Sequence, residues 1–392
     1  MALQPAAGSR DLNPQQVEIN HRLCEKLAAV YKLWGYQEVS PPRVERLATL
    51  LAGGAIEPEA VVQLVANEAL ALRPEMTASI ARAACTRMAG KMRPLRLWST
   101  GTTFQGRIGY SGGLRIEETL QNGVEILGVH DSKADMELLQ LLLTSFSELP
   151  FRPEHRPQLL IGHHRIVSDI LTHLPMEHRA LARDALTGFD PLAIQNQGLN
   201  EDDAQWLEEV LRLRGEPREI ISKLKERLGA TDALLDMEAL LEIIIPRAEE
   251  TGILIQLDPS FEPPLNLYNG LVFQLVCMGP DAPIIVANGG RYDALLGEFG
   301  APESEAAGIG FSFAIEDIRE LLFPMGKNYK PTGSILIAYS KNVTIKEAFS
   351  YQRHLHIQGL TSELQLTPCE SLQQAESIAR ARGAFSLEWL DS

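Results

Sequence analysis

The chain has 392 residues, of which 45% are hydrophobic and 22% are charged. These values are typical of a globular protein with two or three domains and a sizeable core, and they exclude a disordered or fibrous chain. The formal net charge of −15 argues against tRNA or another polyanion as a ligand, because such binding depends on lysine and arginine.

The apolar runs and the cysteines indicate a compartment. No apolar run reaches the roughly 18 residues of a membrane span, and the first 14 residues lack the apolar core of a signal peptide. Cys24, Cys85, Cys277 and Cys369 lie far apart and form no CxxC pair. We therefore expect a reduced, cytoplasmic protein without a disulfide framework, a metal site, a cofactor or a membrane partner.

The first predicted helix begins at Asn13-Pro14, which supplies a cap and a first-turn proline, and it ends at Gly35. Its apolar residues recur at helical spacing; they are Ile19, Leu23, Leu27, Val30 and Trp34. A short strand follows in residues 36–45, and a second helix is predicted from Thr77 to Gly90. Strands are predicted at 93–100 and 120–128, with a hairpin loop at 106–115 and a further helix at 131–148.

After a short apolar run at 158–162 the pattern becomes helical, and we predict a helical insertion over about residues 163–248 within a core of residues 1–325. The rest of that core is predicted as strands at 253–258, 271–277 and 283–288, a tight turn at 289–293 braced by an Arg–Asp pair, and a helix at 316–323. Residues 331–392 alternate strand and helix, which predicts a small C-terminal α/β domain.

Six runs of this sequence, taken in order, resemble the motifs of class II aminoacyl-tRNA synthetases, and of histidyl-tRNA synthetase in particular. They are LWGYQEVSPPRVE (motif 1), LRPEMTASIARA, TFQGR with LQNGVEILG (motif 2), LNLYNGLVFQ, NGGRYDALLGEFG and AAGIGFSFAIEDI (motif 3). They span most of residues 8–325. The resemblance implies an α/β (α+β) fold, in which helices flank an antiparallel sheet and the motif 1 helix and strand form a two-fold dimer interface.

The chain departs from the synthetase pattern where phosphate is bound. Gln105, Pro263 and Asp317 stand at the three positions where the resemblance implies arginines that hold ATP and the reacting carboxylate. Such groups stabilise charge that develops in the transition state, and the loss of one costs about 10²–10³ in rate. We therefore expect no activation of an amino acid, although Arg107 or Arg115 could in principle substitute.

The amino-acid side of the pocket is better preserved. The resemblance implies that a histidine ligand would contact Glu75, Thr77, Gln121, Glu125 and Tyr268. Carboxylates pair with an ammonium, and an acid with a phenol can bind both imidazole nitrogens. The alternatives are that Glu75 only caps a helix, Glu125 only forms a buried ion pair, and Tyr268 is a core aromatic.

This combination resembles the regulatory subunits of ATP phosphoribosyltransferase, which are related to histidyl-tRNA synthetase and do not charge tRNA. The resemblance implies a non-catalytic role in the first step of histidine biosynthesis. It also implies a short-form catalytic partner, a homodimer within a hetero-oligomer, and feedback inhibition by histidine. The small C-terminal domain would correspond to a shortened anticodon-binding domain. The alternatives are a divergent active histidyl-tRNA synthetase, another ATP-dependent ligase, and an RNA-binding or sensor protein.

Overall fold

The computed structural model describes residues 5–52, 54, 56–108, 114–262, 267–324 and 334–391. The chain divides into two compact units, Met1–Pro324 and Met325–Ser392. Within the described ranges, no helix is both long enough and apolar enough to cross a membrane.

The first unit is built on a mixed sheet that is mostly antiparallel. Its strands are β1 (Gln37–Glu38), β2 (Val44–Arg46), β3 (Leu70–Leu72), β4 (Leu95–Ile108), β5 (Leu114–Leu127), β6 (Gln158–His163), β7 (Leu254–Leu257), β8 (Leu271–Met278), β9 (Pro283–Tyr292) and β10 (Gly308–Ala314). Eight of them form one sheet in the order β1-β4-β5-β10-β9-β8-β6-β7, while β2 and β3 pair separately. The predicted fold class is confirmed.

The same unit contains helices, several of which flank the sheet. They are α1 (Pro14–Leu33), α2 (Leu47–Leu51), α3 (Thr77–Thr86), α4 (Lys133–Ser147), α5 (His164–Thr172), α6 (Met176–Thr187), α7 (Pro191–Gln195), α8 (Glu201–Arg212), α9 (Pro217–Leu228), α10 (Asp232–Thr251), α11 (Leu295–Glu298) and α12 (Ile315–Leu322). The stretch from α5 to α10 lies between β6 and β7 and contains no strand, and all of its residues are described. The predicted second helix is shorter than expected, because it ends at Thr86 rather than at Gly90.

Helix α1 begins as its sequence predicts, since the Asn13 side chain accepts a hydrogen bond from the Gln16 N–H in a capping box. Its apolar stripe packs inside the same chain. Leu23, Leu27 and Val30 are at most 6% exposed. These three side chains therefore do not form the dimer interface that the motif 1 resemblance implied, because they already belong to the core of the chain.

The second unit is a small α/β fold. It contains β11 (Ile335–Tyr339), α13 (Ile345–Ile357), β12 (Ser362–Leu364), α14 (Leu372–Arg382) and β13 (Ser386–Leu390). Its described strands pair in parallel in the order β12-β11-β13. The two helices contribute to two separate apolar clusters, one with Ala348 and Leu355 from α13, the other with Ala375 from α14. The order of strands and helices in this unit agrees with the sequence-based prediction.

Candidate functional site

A cavity of about 240 Å³ lies over one face of the large sheet. Its floor is set by strand register. Glu125 on β5 is opposite Gly310 on β10, and Gly310 is opposite Gly290 on β9. Two residues along the strands, Gly123 on β5 is opposite Ser312 on β10, which is opposite Asn288 on β9. Because side chains alternate along a strand, these two rows face the same side of the sheet.

Two glycines keep this floor open. A Cβ added at Gly310 would lie 1.9 Å from the Oε2 atom of Glu125, and one added at Gly290 would lie 2.7 Å from the Cδ1 atom of the Tyr268 ring. Neither distance is compatible with a side chain at the glycine position. The glycines therefore make room for the acid and the phenol that the sequence singled out.

Glu125 is the most buried of the candidate residues, with 6% of its surface exposed. Its Oε2 atom accepts a 2.5 Å hydrogen bond from the Tyr292 hydroxyl, and its Oε1 atom accepts a 2.8 Å hydrogen bond from the Thr77 hydroxyl. Burial raises the pKa of Glu125 to about 8, and the nearby Glu75 carboxylate adds to the rise while the two hydrogen bonds oppose it. This side chain can therefore gain or lose a proton near neutral pH.

Glu75 lies at the N-terminus of α3. Its carboxylate accepts hydrogen bonds from the backbone N–H groups of Thr77 and Ala78. The helix-capping role considered from the sequence is therefore present, and the residue also lines the cavity. Burial raises the pKa of Glu75 above its usual range, against the effect of these hydrogen bonds.

The remaining candidates, Gln121 and Tyr268, also line the cavity, so all five candidate residues are brought together. Tyr268 packs with the core cluster around Met76 and Tyr292, as does Leu267. Burial raises the pKa of the Tyr268 phenol, and the carboxylates of Glu125 and Glu75 contribute. Its hydroxyl therefore stays protonated and can donate a hydrogen bond.

Three polar residues of the cavity were not among the candidates: Asn288, Tyr292 and Ser312. The sequence-based prediction of a tight turn at 289–293 is wrong, because β9 continues to Tyr292 and pairs with β10 through Gly289 and Gly290. Alternation along a longer strand would have placed Asn288, Gly290 and Tyr292 on one face. The predicted Arg–Asp brace exists, since Arg291 contacts Asp293 at 3.2 Å, but its closer partner is Asp135 at 2.6 Å.

Of the three positions where the resemblance implied arginine, one lines the cavity, one lies outside its lining, and one is not described. Gln105 lines the cavity and donates a 3.3 Å hydrogen bond to the Pro74 carbonyl. Asp317 lies in the first turn of α12, exposed and outside the lining residues. Pro263 lies outside the described residues. The nearby Arg319 is turned to α1, where it donates a 2.9 Å hydrogen bond to the Asn20 side chain, so it does not replace an arginine at position 317.

The part of the chain that the structure describes contains no group of three or more His, Cys, Asp or Glu side chains suited to a metal ion. Residues His163 and His164 lie at the end of β6 and the start of α5. His163 caps α5 by accepting a hydrogen bond from the Arg165 N–H, and His164 contacts Glu262 at 3.2 Å. Both histidines therefore have structural contacts.

Comparison with known proteins shows which family the chain resembles. The sequence model of the family described as histidyl-tRNA synthetase matches residues 8–318. Two proteins named ATP phosphoribosyltransferase regulatory subunit are similar along their whole length: that of Prochlorococcus marinus (strain MIT 9303) is 50% identical and that of Synechococcus sp. (strain CC9902) is 47% identical, each over 391 residues and covering 100% of both chains.

Solved structures share the fold. The crystal structure of an ATP phosphoribosyltransferase regulatory subunit/histidyl-tRNA synthetase from Bacillus halodurans matches with a TM-score of 0.83 at 22% identity, covering 100% of this chain and 99% of that one. The histidyl-tRNA synthetase of Nostoc sp. PCC 7120 matches with a TM-score of 0.78 at 15% identity, covering 100% and 92%. The chain therefore belongs to the family of ATP phosphoribosyltransferase regulatory subunits, which has the fold of histidyl-tRNA synthetase.

Proposed function

We propose that this chain is a non-catalytic, cytoplasmic subunit that a short-form catalytic ATP phosphoribosyltransferase needs for activity, and that it transmits inhibition by histidine. The chain would act as a homodimer within a hetero-oligomer, without binding tRNA. The observation that carries the proposal is the cavity itself. It keeps Glu75, Glu125 and Tyr268 together for an ammonium and an imidazole, while Gln105 occupies a wall position where a synthetase would use arginine.

The chemistry of the cavity suits recognition rather than adenylate formation. Forming an adenylate requires cationic groups on the phosphates and the reacting carboxylate. The site offers acidic groups instead: the ionised form of Glu125 would repel the phosphates of ATP, and its protonated form supplies no positive charge for them. The protonated amine of histidine has the charge opposite to that of a carboxylate, and its imidazole can form hydrogen bonds with the same acidic groups.

Inhibition would follow from differential affinity. If histidine binds one state of the hetero-oligomer more tightly than the other, it shifts the assembly to that state, and the catalytic subunit becomes less active. The coupling required is modest, because 1.4 kcal/mol already changes an equilibrium tenfold.

The test is an activity assay of the chain, of the catalytic subunit, and of the two together. We expect phosphoribosyl transfer to ATP only from the mixture, and no histidine-dependent pyrophosphate exchange from the chain alone. Robust exchange would instead favour the divergent synthetase. The Glu125→Gln variant should bind histidine at least tenfold more weakly and relieve inhibition of the mixture, whereas Glu298→Gln, an exposed position outside the cavity, should leave both unchanged. Equal inhibition of the parent and Glu125→Gln complexes would remove the cavity from the mechanism.

A further inference from the structure

The described part of the cavity wall has acidic groups without basic ones. Among the described residues, the acidic groups on it are Glu75 and Glu125, and no lysine, arginine or histidine lines it. The chain segments omitted from the description next to these elements, namely positions 53, 55, 109–113 and 263–266, have no lysine or arginine in their sequence. Neither the described lining residues nor these omitted positions therefore offer a lysine or an arginine to a ligand carboxylate.

Of the arginines that flank this wall along the chain, Arg73 and Arg107 have other partners, and Arg115, opposite Arg107 on β5, is exposed and does not line the cavity. Arg73 is 3% exposed, and its guanidinium donates to the carbonyls of Thr102 at 3.0 Å and Pro41 at 2.8 Å. Arg107, two residues beyond Gln105 on β4, pairs with Glu117 at 2.8 Å. Each strand residue adds about 3.3 Å, so the Arg107 backbone is about 7 Å farther along the strand than that of Gln105.

The hydrogen-bond donors that remain for a ligand carboxylate are uncharged. The amides of Gln105, Gln121 and Asn288 and the hydroxyl of Ser312 line the cavity. Hydrogen bonds from neutral donors are about half as strong as those from a cation. When Glu75 and Glu125 are ionised, their repulsion of a ligand carboxylate reduces the gain from such bonds further.

We propose that this cavity recognises the imidazole and the ammonium of its ligand and supplies no charged partner to a carboxylate. Its ligand class is thus the imidazole amines as a whole, and a decarboxylated or amidated analogue binds at least as well as histidine. The inference rests on the proposed function, because it concerns the same cavity. A site that uses an arginine would behave differently, since removal of the carboxylate would cost it about tenfold to a hundredfold in affinity.

Calorimetry on the 392-residue chain at pH 7 separates these possibilities, with L-histidine, L-histidine amide and histamine as the three ligands. All three carry the imidazole, and their amines are mostly protonated at this pH. We expect the two analogues to bind within about threefold of histidine or more tightly. Binding of histidine at least tenfold tighter than both analogues would overturn this inference and leave the histidine sensor intact. Failure of all three to bind, both to the chain alone and to its mixture with the catalytic subunit, would overturn the inference and the sensor together.

Variants of the wall provide the second readout. Gln105→Arg should tighten histidine binding about tenfold without tightening that of histamine, because it adds a cation for the carboxylate. Gln105→Met, which is also unbranched but uncharged, should leave the ratio of the two affinities unchanged. Arg107→Gln should not alter that ratio either. A selective loss of histidine binding in Arg107→Gln would mean that Arg107 reaches the carboxylate, and the inference would be wrong.

Discussion

Glu125 couples the stability of the fold to pH, because burial raises its pKa from an ordinary value of 4.5 to about 8. The native state then binds the proton more tightly than the unfolded chain. The free energy of unfolding is therefore expected to fall as the pH rises from about 4.5 to about 8, by an amount on the order of a few kcal/mol. Glu125→Gln removes this titration and should flatten that part of the pH profile. Urea unfolding of both proteins across this range measures the difference, and parallel profiles would contradict the prediction.

Gly310 provides a test of the space around the same carboxylate. Gly310→Ala would place a methyl group 1.9 Å from the Glu125 Oε2 atom, so the acid must move and its contact with Tyr292 is broken. We expect a loss of about 1–3 kcal/mol in the free energy of unfolding and at least tenfold weaker histidine binding. Gly297→Ala is the matched control, since its added Cβ would approach no atom closer than 3.8 Å. Unchanged binding in Gly310→Ala would show that the ligand does not depend on this arrangement.

At the scale of elements, the Arg319 side chain on α12 forms a hydrogen bond that links this helix to α1. Its side chain is 2% exposed, and it donates a 2.9 Å hydrogen bond to the buried Asn20 and pairs with Glu320 at 3.2 Å. Arg319→Met leaves the Asn20 oxygen without this donor, so we expect a loss of about 2–4 kcal/mol in the free energy of unfolding.

The control is Arg212→Met on α8, which removes the i,i+4 pair between the exposed Arg212 and the half-buried Glu208 and should cost less than about 1 kcal/mol. Urea denaturation compares the two variants with the parent. Histidine binding should not change in Arg319→Met, because this arginine is absent from the cavity wall. A selective loss of ligand binding there, with stability unchanged, would give Arg319 a role at the cavity instead.

Strand β9 is an element whose length could not be predicted from the local sequence alone. Glycine is unfavourable inside a strand, so Gly289 and Gly290 after an apolar run favour a turn. The strand nevertheless continues, because both glycines pair with β10 and because the Tyr268 ring occupies the space of a side chain at 290. The residue that requires a glycine at position 290 is Tyr268, which is 22 positions away in the sequence. Tyr292 was missed as a cavity residue for the same reason, since only the extended strand brings it to the floor.

At the scale of the whole molecule, the elements with strong local signals were predictable. The cap at Asn13 fixed the start of α1, and periodicity gave the helices between β6 and β7. The motif resemblance predicted that Glu75, Gln121 and Tyr268 belong to one pocket. Periodicity alone could not predict this, because it does not indicate which strands become neighbours. The apolar stripe of α1 was assigned to an interface from the motif 1 resemblance. Hydrophobic spacing could not correct this, because it does not distinguish a stripe that packs within its own chain from one that packs on another chain.

The dimer stays a prediction, and Leu33 provides its test. The side chains deeper in α1 are buried within the chain, but Leu33 at its last turn is 87% exposed and lies in the run that resembles motif 1. In a two-fold dimer each residue is present twice, so a change at the interface counts twice. Burial of a leucine is worth about 2 kcal/mol. Leu33→Asp should therefore weaken dimerisation by about 10³-fold or more, and light scattering at micromolar concentration should detect the monomer.

Leu192→Asp is the matched control, since Leu192 is 67% exposed on α7 in the helical insertion, away from the motif 1 run. It should leave the mass of the assembly unchanged. Circular dichroism should be the same for both variants, because each replaces an exposed side chain and disturbs no core contact. A parent chain that is already monomeric at micromolar concentration would refute the dimer itself. A dimer that persists in Leu33→Asp would place the interface on another face, and the exposed end of α1 would then need another partner, such as the catalytic subunit.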